Sequence, residues 1–298
     1  MVTGFENATV GTKTLTITYQ GKTTTFTVEV VEYSGPAVDE NTLILPLDQL
    51  EGAAFVWVDG VKVAVESYDN DGYIQLPNAE GKVLTTFTYN AESQDPHEVY
   101  PTGMKVWLLD YEEGYTAKYV PELDNLLRYA GSSIRITGKK GIRMITGLDK
   151  TLKATLIKDG VEGYKLVEYG TVLGWQSLLE SGEALVLGKE YAKSNYAYKK
   201  GAADPIFFDD GKVVQFTNVL VGFNNDQCKD DIAMRPYLVL EDAEGNQITV
   251  YGGIVYRSIG YIAYQNRTVF QPKTNAYNFV WEIIHHVYGD QYDADFKG

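Results

Sequence analysis

Four residues able to grip a ligand stand inside apolar, strand-like runs. They are Arg143 in Gly141-Ile-Arg-Met-Ile-Thr-Gly147, Glu168 in Tyr164-Lys-Leu-Val-Glu-Tyr-Gly-Thr-Val-Leu173, Arg235 in Met234-Arg-Pro-Tyr237 and Arg257 in Tyr256-Arg-Ser-Ile259. Arg135, in Ser132-Ser-Ile-Arg-Ile-Thr-Gly138, repeats the pattern. A guanidinium among strand hydrophobics is costly to bury alone, so each must pair or reach water. Glu168, on a neighbouring strand pattern, is the expected partner. Such a set could clamp a carboxylate or sugar hydroxyls in bidentate fashion. Structural ion pairs or solvent-facing strand positions explain the same residues without a ligand.

Other chemistry-bearing groups are weaker candidates. Tyr68-Asp-Asn-Asp-Gly-Tyr73 crowds oxygen ligands together, but it lacks the downstream Glu of a helix-loop-helix calcium site. Asp and Asn before Gly are also what a tight turn demands, so calcium at Asp69–Asp71 is the lesser reading. His285 and His286 are adjacent, point about 100° apart on a helix and cannot make an i, i+4 metal pair. His97 falls in a turn after Asp95-Pro96. Cys228 is flanked by acids, which raise a thiol's pKa and blunt it. No Gly-x-Ser-x-Gly elbow and no Gly-rich phosphate loop occurs. Carboxylate pairs for glycoside cleavage can always be chosen from 40 acids, and spacing in sequence cannot test them. No catalytic residue, metal or cofactor is therefore expected. Trp57, Trp107, Trp175, Tyr191, Tyr196, Tyr198, Tyr256, Tyr261 and Tyr264 could form a stacking platform for glycans, or could simply pack strands.

The elements that must hold these groups are read from composition and period. The 298 residues are 44% hydrophobic and 22% charged, ordinary for a folded chain with a sizeable core. Residues 32–130 carry 18 acids and 5 bases, a charge of −13 of the total −14. A nucleic-acid partner is disfavoured, because phosphate binding needs a basic face. One cysteine excludes an intrachain disulfide. No apolar run is long enough to insert in a membrane.

Residues 2–31 show Leu15, Ile17 and Tyr19 alternating with Thr, a Gln20-Gly21-Lys22 turn, then Phe26, Val28 and Val30 alternating with Thr and Glu. This is a β-hairpin with one apolar face. Val2-Thr-Gly-Phe5, Val10-Gly-Thr-Lys-Thr-Leu-Thr-Ile-Thr-Tyr-Gln-Gly-Lys22 and Phe26-Thr-Val28 resemble the C-terminal half of a bacterial immunoglobulin-like domain of the group 3 type. The resemblance implies an extracellular, multi-domain, stalk-like parent of Gram-positive type, with Met1 falling inside a domain. Residues 1–32 are assigned to that Ig-like part and 33–41 to a linker. Residues 42–95 read as a small all-β module, with Phe55-Val-Trp-Val58 turning through Asp59-Gly60 into Val61-Lys-Val-Ala-Val65. Residues 96–298 read as a larger β-rich domain. Its Val120–Tyr129 segment suggests a helix or turn, Lys189–Tyr198 leaves helix and strand open, and a terminal amphipathic helix is capped by Asn275 and stopped by Gly289. Pro101-Thr-Gly-Met104, Leu126-Leu-Arg-Tyr129, Gly141-Ile-Arg-Met144 and Met234-Arg-Pro-Tyr237 make this region similar to one found in clostridial surface proteins, a likeness that implies location and no chemistry.

The expected fold is mainly β: a partial Ig-like hairpin, a small β module, and a larger α+β domain with a C-terminal helix. The expected function is a non-catalytic, extracellular adhesion or stalk segment of a cell-surface protein. A carbohydrate-binding module and an unrecognised carbohydrate-active hydrolase are the alternatives. Its partners would be host or cell-wall glycans or proteins, and its oligomeric state is open.

Overall fold

A computed structural model describes residues 2–3, 10–30, 43–46, 50, 53, 55–67, 73–76, 81–90, 95–110, 116–190, 192–204 and 206–289. The expected linker 33–41, Asp69–Asp71 and Tyr191 lie outside them. The chain is mainly β, in several antiparallel sheets with a few helices, one of them C-terminal.

Strands β1 (Val2–Thr3), β2 (Gly11–Tyr19) and β3 (Lys22–Val30) form the first sheet. Gln20 and Gly21, at φ 49° and 76°, make the two-residue turn that the right-handed strand twist favours. Leu15 stands opposite Phe26, and the reverse face is a ladder of Thr. Leu15 is buried, whereas Tyr19 and Phe26 are exposed.

Strands β4 (Leu43–Pro46), β7 (Glu66–Ser67) and β8 (Tyr73–Leu76) form a second small sheet. The third joins β5 (Phe55–Val58), β6 (Val61–Ala64), β9 (Val83–Tyr89), β10 (Pro101–Asp110) and β11 (Thr116–Tyr119) in the order β11-β10-β9-β5-β6. β9 pairs with β10 along most of its length, so the division expected at 95/96 passes through one hydrogen-bonded sheet. Composition changes there; the ladder does not.

Two further sheets complete the body. β12 (Leu127–Arg135) and β13 (Gly141–Asp149) are neighbours, as their repeated Arg-bearing pattern suggests, and join β17 (Val213–Val221) and β16 (Phe208–Asp209). β14 (Lys165–Trp175) lies in the other sheet, between β15 (Lys193–Lys199) and β18 (Ile232–Glu241), with β19 (Gln247–Tyr251) and β20 (Val255–Arg257) pairing along β18. The 189–198 ambiguity thus resolves to a strand from Lys193 onward. Val120–Tyr129 resolves to a single 3-10 turn at Pro121–Leu123 leading into β12.

Helix α1 (Lys150–Lys158), capped by Asp149, and α3 (Ile259–Gln265), capped by Ser258, were not legible from period. α2 is the short helix Gln176–Glu180 directly after β14. α4 (Asn275–Tyr288) ends at Gly289, φ 72°, as expected, but Thr274 is its cap: the Thr274 hydroxyl accepts from the Tyr277 amide, and Asn275 is already helical. The main core packs Val83 and Val106 of the third sheet against Leu127, Leu148, Tyr169 and Leu240 of the other two. The opposite face of the third sheet has its own core of Leu50, Val56, Val58, Leu84, Trp107 and Leu109.

Candidate functional site

The site grows out of β5. Val56 and Val58 point into the outer core, so Phe55 and Trp57 must face the other way. On β9 that same face carries Thr85, paired with Trp57, and then Phe87 and Tyr89. Phe87 packs on the main core and meets Trp57 edge-on, with ring centroids 5.0 Å apart. Toward β5 and β6 the two layers part and leave a cleft of about 740 Å³. One wall is Phe55, Trp57, Lys62 and Tyr89; the other includes Gln176 and Glu180 of α2, Glu183, and Tyr256 of β20. Phe55 itself is 43% exposed. The Lys62 ammonium lies 3.8 Å from the Phe55 ring centre and 6.0 Å from Trp57.

Arg235 fixes the floor. Its side chain is fully buried, with Nε donating to the Gly252 carbonyl at 2.7 Å and Nη1 to the Gly60 carbonyl at 2.6 Å. The guanidinium sits 5.1 Å from the Tyr251 ring centre, and Nη2 has no hydrogen-bond partner among the described residues. Burial pulls its pKa down to about 10, against which the neighbouring tyrosines Tyr251, Tyr89 and Tyr256 push back. It stays charged at neutral pH. Gly60, with Asp59 at φ 45° and itself at 81°, is the β5–β6 turn, and it seats directly on this guanidinium. The Asp59 carboxylate accepts from the Lys82 and Val83 amides and ties the turn to β9. Burial raises the Tyr89 pKa to about 12 and that of Tyr256 in the same direction, with Arg235 opposing both. Both hydroxyls therefore keep their protons and can donate.

A smaller recess of about 320 Å³ lies on the other side of α2, shared through Gln176 and Glu180 and including Asp230 and Asp231. His97 Nε2 lies 2.6 Å from Asp231 Oδ1, Nδ1 lies 2.6 Å from Asp95 Oδ1, and the imidazole stacks on Tyr261 at 4.4 Å. Burial disfavours the His97 cation, but the hydrogen bonds and charges of Asp231 and Asp95 outweigh it and raise the pKa above the usual value.

The four expected ligand-gripping residues occupy different surroundings. Glu168 does not pair with an arginine: it accepts from the Tyr237 hydroxyl at 2.7 Å and bridges to Lys199 at 3.3 Å. The reason is placement, since β14 is in a different sheet from β13, and its neighbour across the ladder is Lys199. Arg143 lies over Phe207 at 5.5 Å, and its buried Nε has no partner among the described residues. Arg257 is buried between Tyr129 and Tyr261 and donates to the Tyr256 carbonyl. None of the four lines the cleft; Arg235 and Arg257 reach it only through backbone carbonyls, of Gly60 and Tyr256. Of the candidate aromatics, Trp57 and Tyr256 line the cleft, Trp175 lines the smaller recess, and Trp107 is core. The acidic wall and the His97 bridge were missed. Phe55-Val-Trp-Val58, apolar on both faces before a tight turn, was the available signal.

Compared with known proteins, residues 1–30 match the bacterial Ig-like domain of group 3. That is a surface-type module. The match spans the β1–β3 sheet and stops short of the cleft. The likeness of 96–298 to clostridial surface proteins finds no support. No curated protein and no solved structure matches the chain.

Proposed function

We propose that this chain is a non-catalytic binding segment of an extracellular bacterial surface protein, in which the Ig-like part serves as stalk and the body carries out adhesion through its cleft. The observation that carries the reading is the outward aromatic pair Phe55 and Trp57, opening on a cleft of about 740 Å³ rather than into a core. That volume falls within the roughly 300–1,000 Å³ usual for ligand sites, and the walls combine apolar faces with a few polar groups. The group 3 Ig-like match supports the surface location. Three groups with displaced pKa values, Tyr169, Tyr237 and His97, are each engaged by a carboxylate within the fold, which supports a binding role over catalysis. The test is binding of the fluorescently labelled chain to purified Gram-positive cell walls and to fixed epithelial cells. Saturable binding, lost in a folded Trp57→Ala variant, is expected. A folded chain that binds neither preparation overturns the reading, and so does release of new reducing ends from either one.

A further inference from the structure

Resting on that reading, we propose that the cleft is a carbohydrate site, with sugar rings laid on Trp57 and Tyr256 and their hydroxyls met by Gln176, Glu180 and Lys62. The argument starts from β5. A strand with Val56 and Val58 in the core needs polar residues on a water-facing side, and this one has Phe55 and Trp57. Half-buried aromatic rings that line a cleft, as Trp57 and Tyr256 do, match the C–H face of a pyranose, which is apolar and flat. The polar groups around them are of mixed type. Glu180 accepts, Lys62 donates, the Gln176 amide does both and gives one bond to Glu180 at 3.1 Å, and Tyr89 and Tyr256 keep donating hydroxyls. A neutral polyol offers donors and acceptors in equal measure and satisfies such a mixture.

Other chemistries fit less well. An anionic ligand would meet Glu180 and Glu183 against Lys62, the one cation among the described lining residues, with the Arg235 charge screened behind Gly60. A cationic ligand would find Lys62 already over the Phe55 ring at 3.8 Å. A purely apolar chain would strip water from the Gln176–Glu180 wall and replace none of its bonds. The platform is also rigid, because the β5–β6 turn is held by Arg235 through the Gly60 carbonyl and by Asp59 to β9. A preformed site loses less entropy on binding.

The test uses the whole chain on an array of cell-wall and mucin glycans, with cellotetraose, maltotetraose, mannotetraose and chitotetraose titrated against tryptophan fluorescence. At least one sugar is expected to bind, with affinity falling about tenfold or more in Trp57→Ala and Tyr256→Ala, as for buried aromatic anchors. Glu180→Ala, on an exposed helix face that leaves folding untouched, should weaken it about tenfold, the value of one hydrogen bond to a charged group. Sugar binding that survives all three substitutions overturns the site. If no sugar binds while binding to cell preparations persists and is lost in Trp57→Ala, the carbohydrate class is overturned and the binding role stands. Silence in both assays overturns both.

Discussion

Gly60→Ala and Gly21→Ala form a matched pair that measures how firmly the β5–β6 turn is seated. Both glycines are the second residue of a two-residue turn, with φ 81° and 76°, after Asp59 and Gln20 at φ 45° and 49°. The backbone cost of placing alanine in this left-handed region is therefore the same, about 1–2 kcal/mol. Their surroundings differ. A Cβ on Gly21 meets nothing within 4 Å, whereas on Gly60 it would stand 2.7 Å from Tyr251 Cδ2, 2.9 Å from Val186 Cγ1 and 3.0 Å from Arg235 Nη1. Relieving that overlap must lift the turn or displace buried side chains, for about 1–3 kcal/mol more. Gly60→Ala should thus cost about 2–5 kcal/mol. For a body of this size that lowers Tm by on the order of 4–20 °C. All four tryptophans, Trp57, Trp107, Trp175 and Trp281, lie outside the hairpin, so their fluorescence reports the body alone. In thermal unfolding, Gly60→Ala, followed by tryptophan emission, should lose clearly more stability than the about 1–2 kcal/mol of backbone strain, whereas Gly21→Ala, followed by far-UV dichroism of the hairpin strands, should lose only that strain. Equal shifts, or an unmoved Gly60→Ala midpoint, would refute the seating of this turn on Arg235 and Tyr251.

Arg235→Met should destabilise the body by about 2 kcal/mol or more in urea titrations, since the Gly60 and Gly252 carbonyls lose their donor even as a buried charge is removed; an unchanged midpoint would show that the guanidinium holds nothing. His97 has a raised folded-state pKa, so the stability it supplies is complete below its unfolded value of about 6.5 and fades as pH rises through the folded value. The gap between the parent chain and His97→Gln, measured by denaturation from about pH 5 to 8, should narrow with rising pH, and a widening gap would contradict the double carboxylate bridge. Cys228 is buried, and burial above all raises its pKa. A thiol reagent at neutral pH should modify it only on unfolding, and rapid labelling of the native chain would count against its place in the core.

Strands were readable where alternation is strict. β2 and β3 follow from their Thr-spaced apolar residues, and β12, β13 and β17 from short β-branched runs closed by glycine. The site was only half readable. Trp57 and Tyr256 could be named as candidates, yet whether an aromatic faces a core or a cleft depends on where two sheets diverge, and no local pattern encodes that. Glu168 illustrates the same point: its partner is fixed by which strand lies alongside β14, a long-range outcome. α1 escaped notice because its apolar positions are few, Leu152, Leu156 and Ile157, and its Asp149 cap reads equally well as the end of a strand.

The β9–β10 ladder, continuous but for a register shift between Pro101 and Gly103, bears on how the proposed binding should be mapped. A fragment trimmed after residue 95 would keep β9 with its hydrogen-bonding edge bare and the Val83, Thr85 and Phe87 side uncovered. Bare edges of that kind recruit one another. Such a fragment would clump and cling to surfaces of every sort, and its stickiness would be mistaken for the native trait.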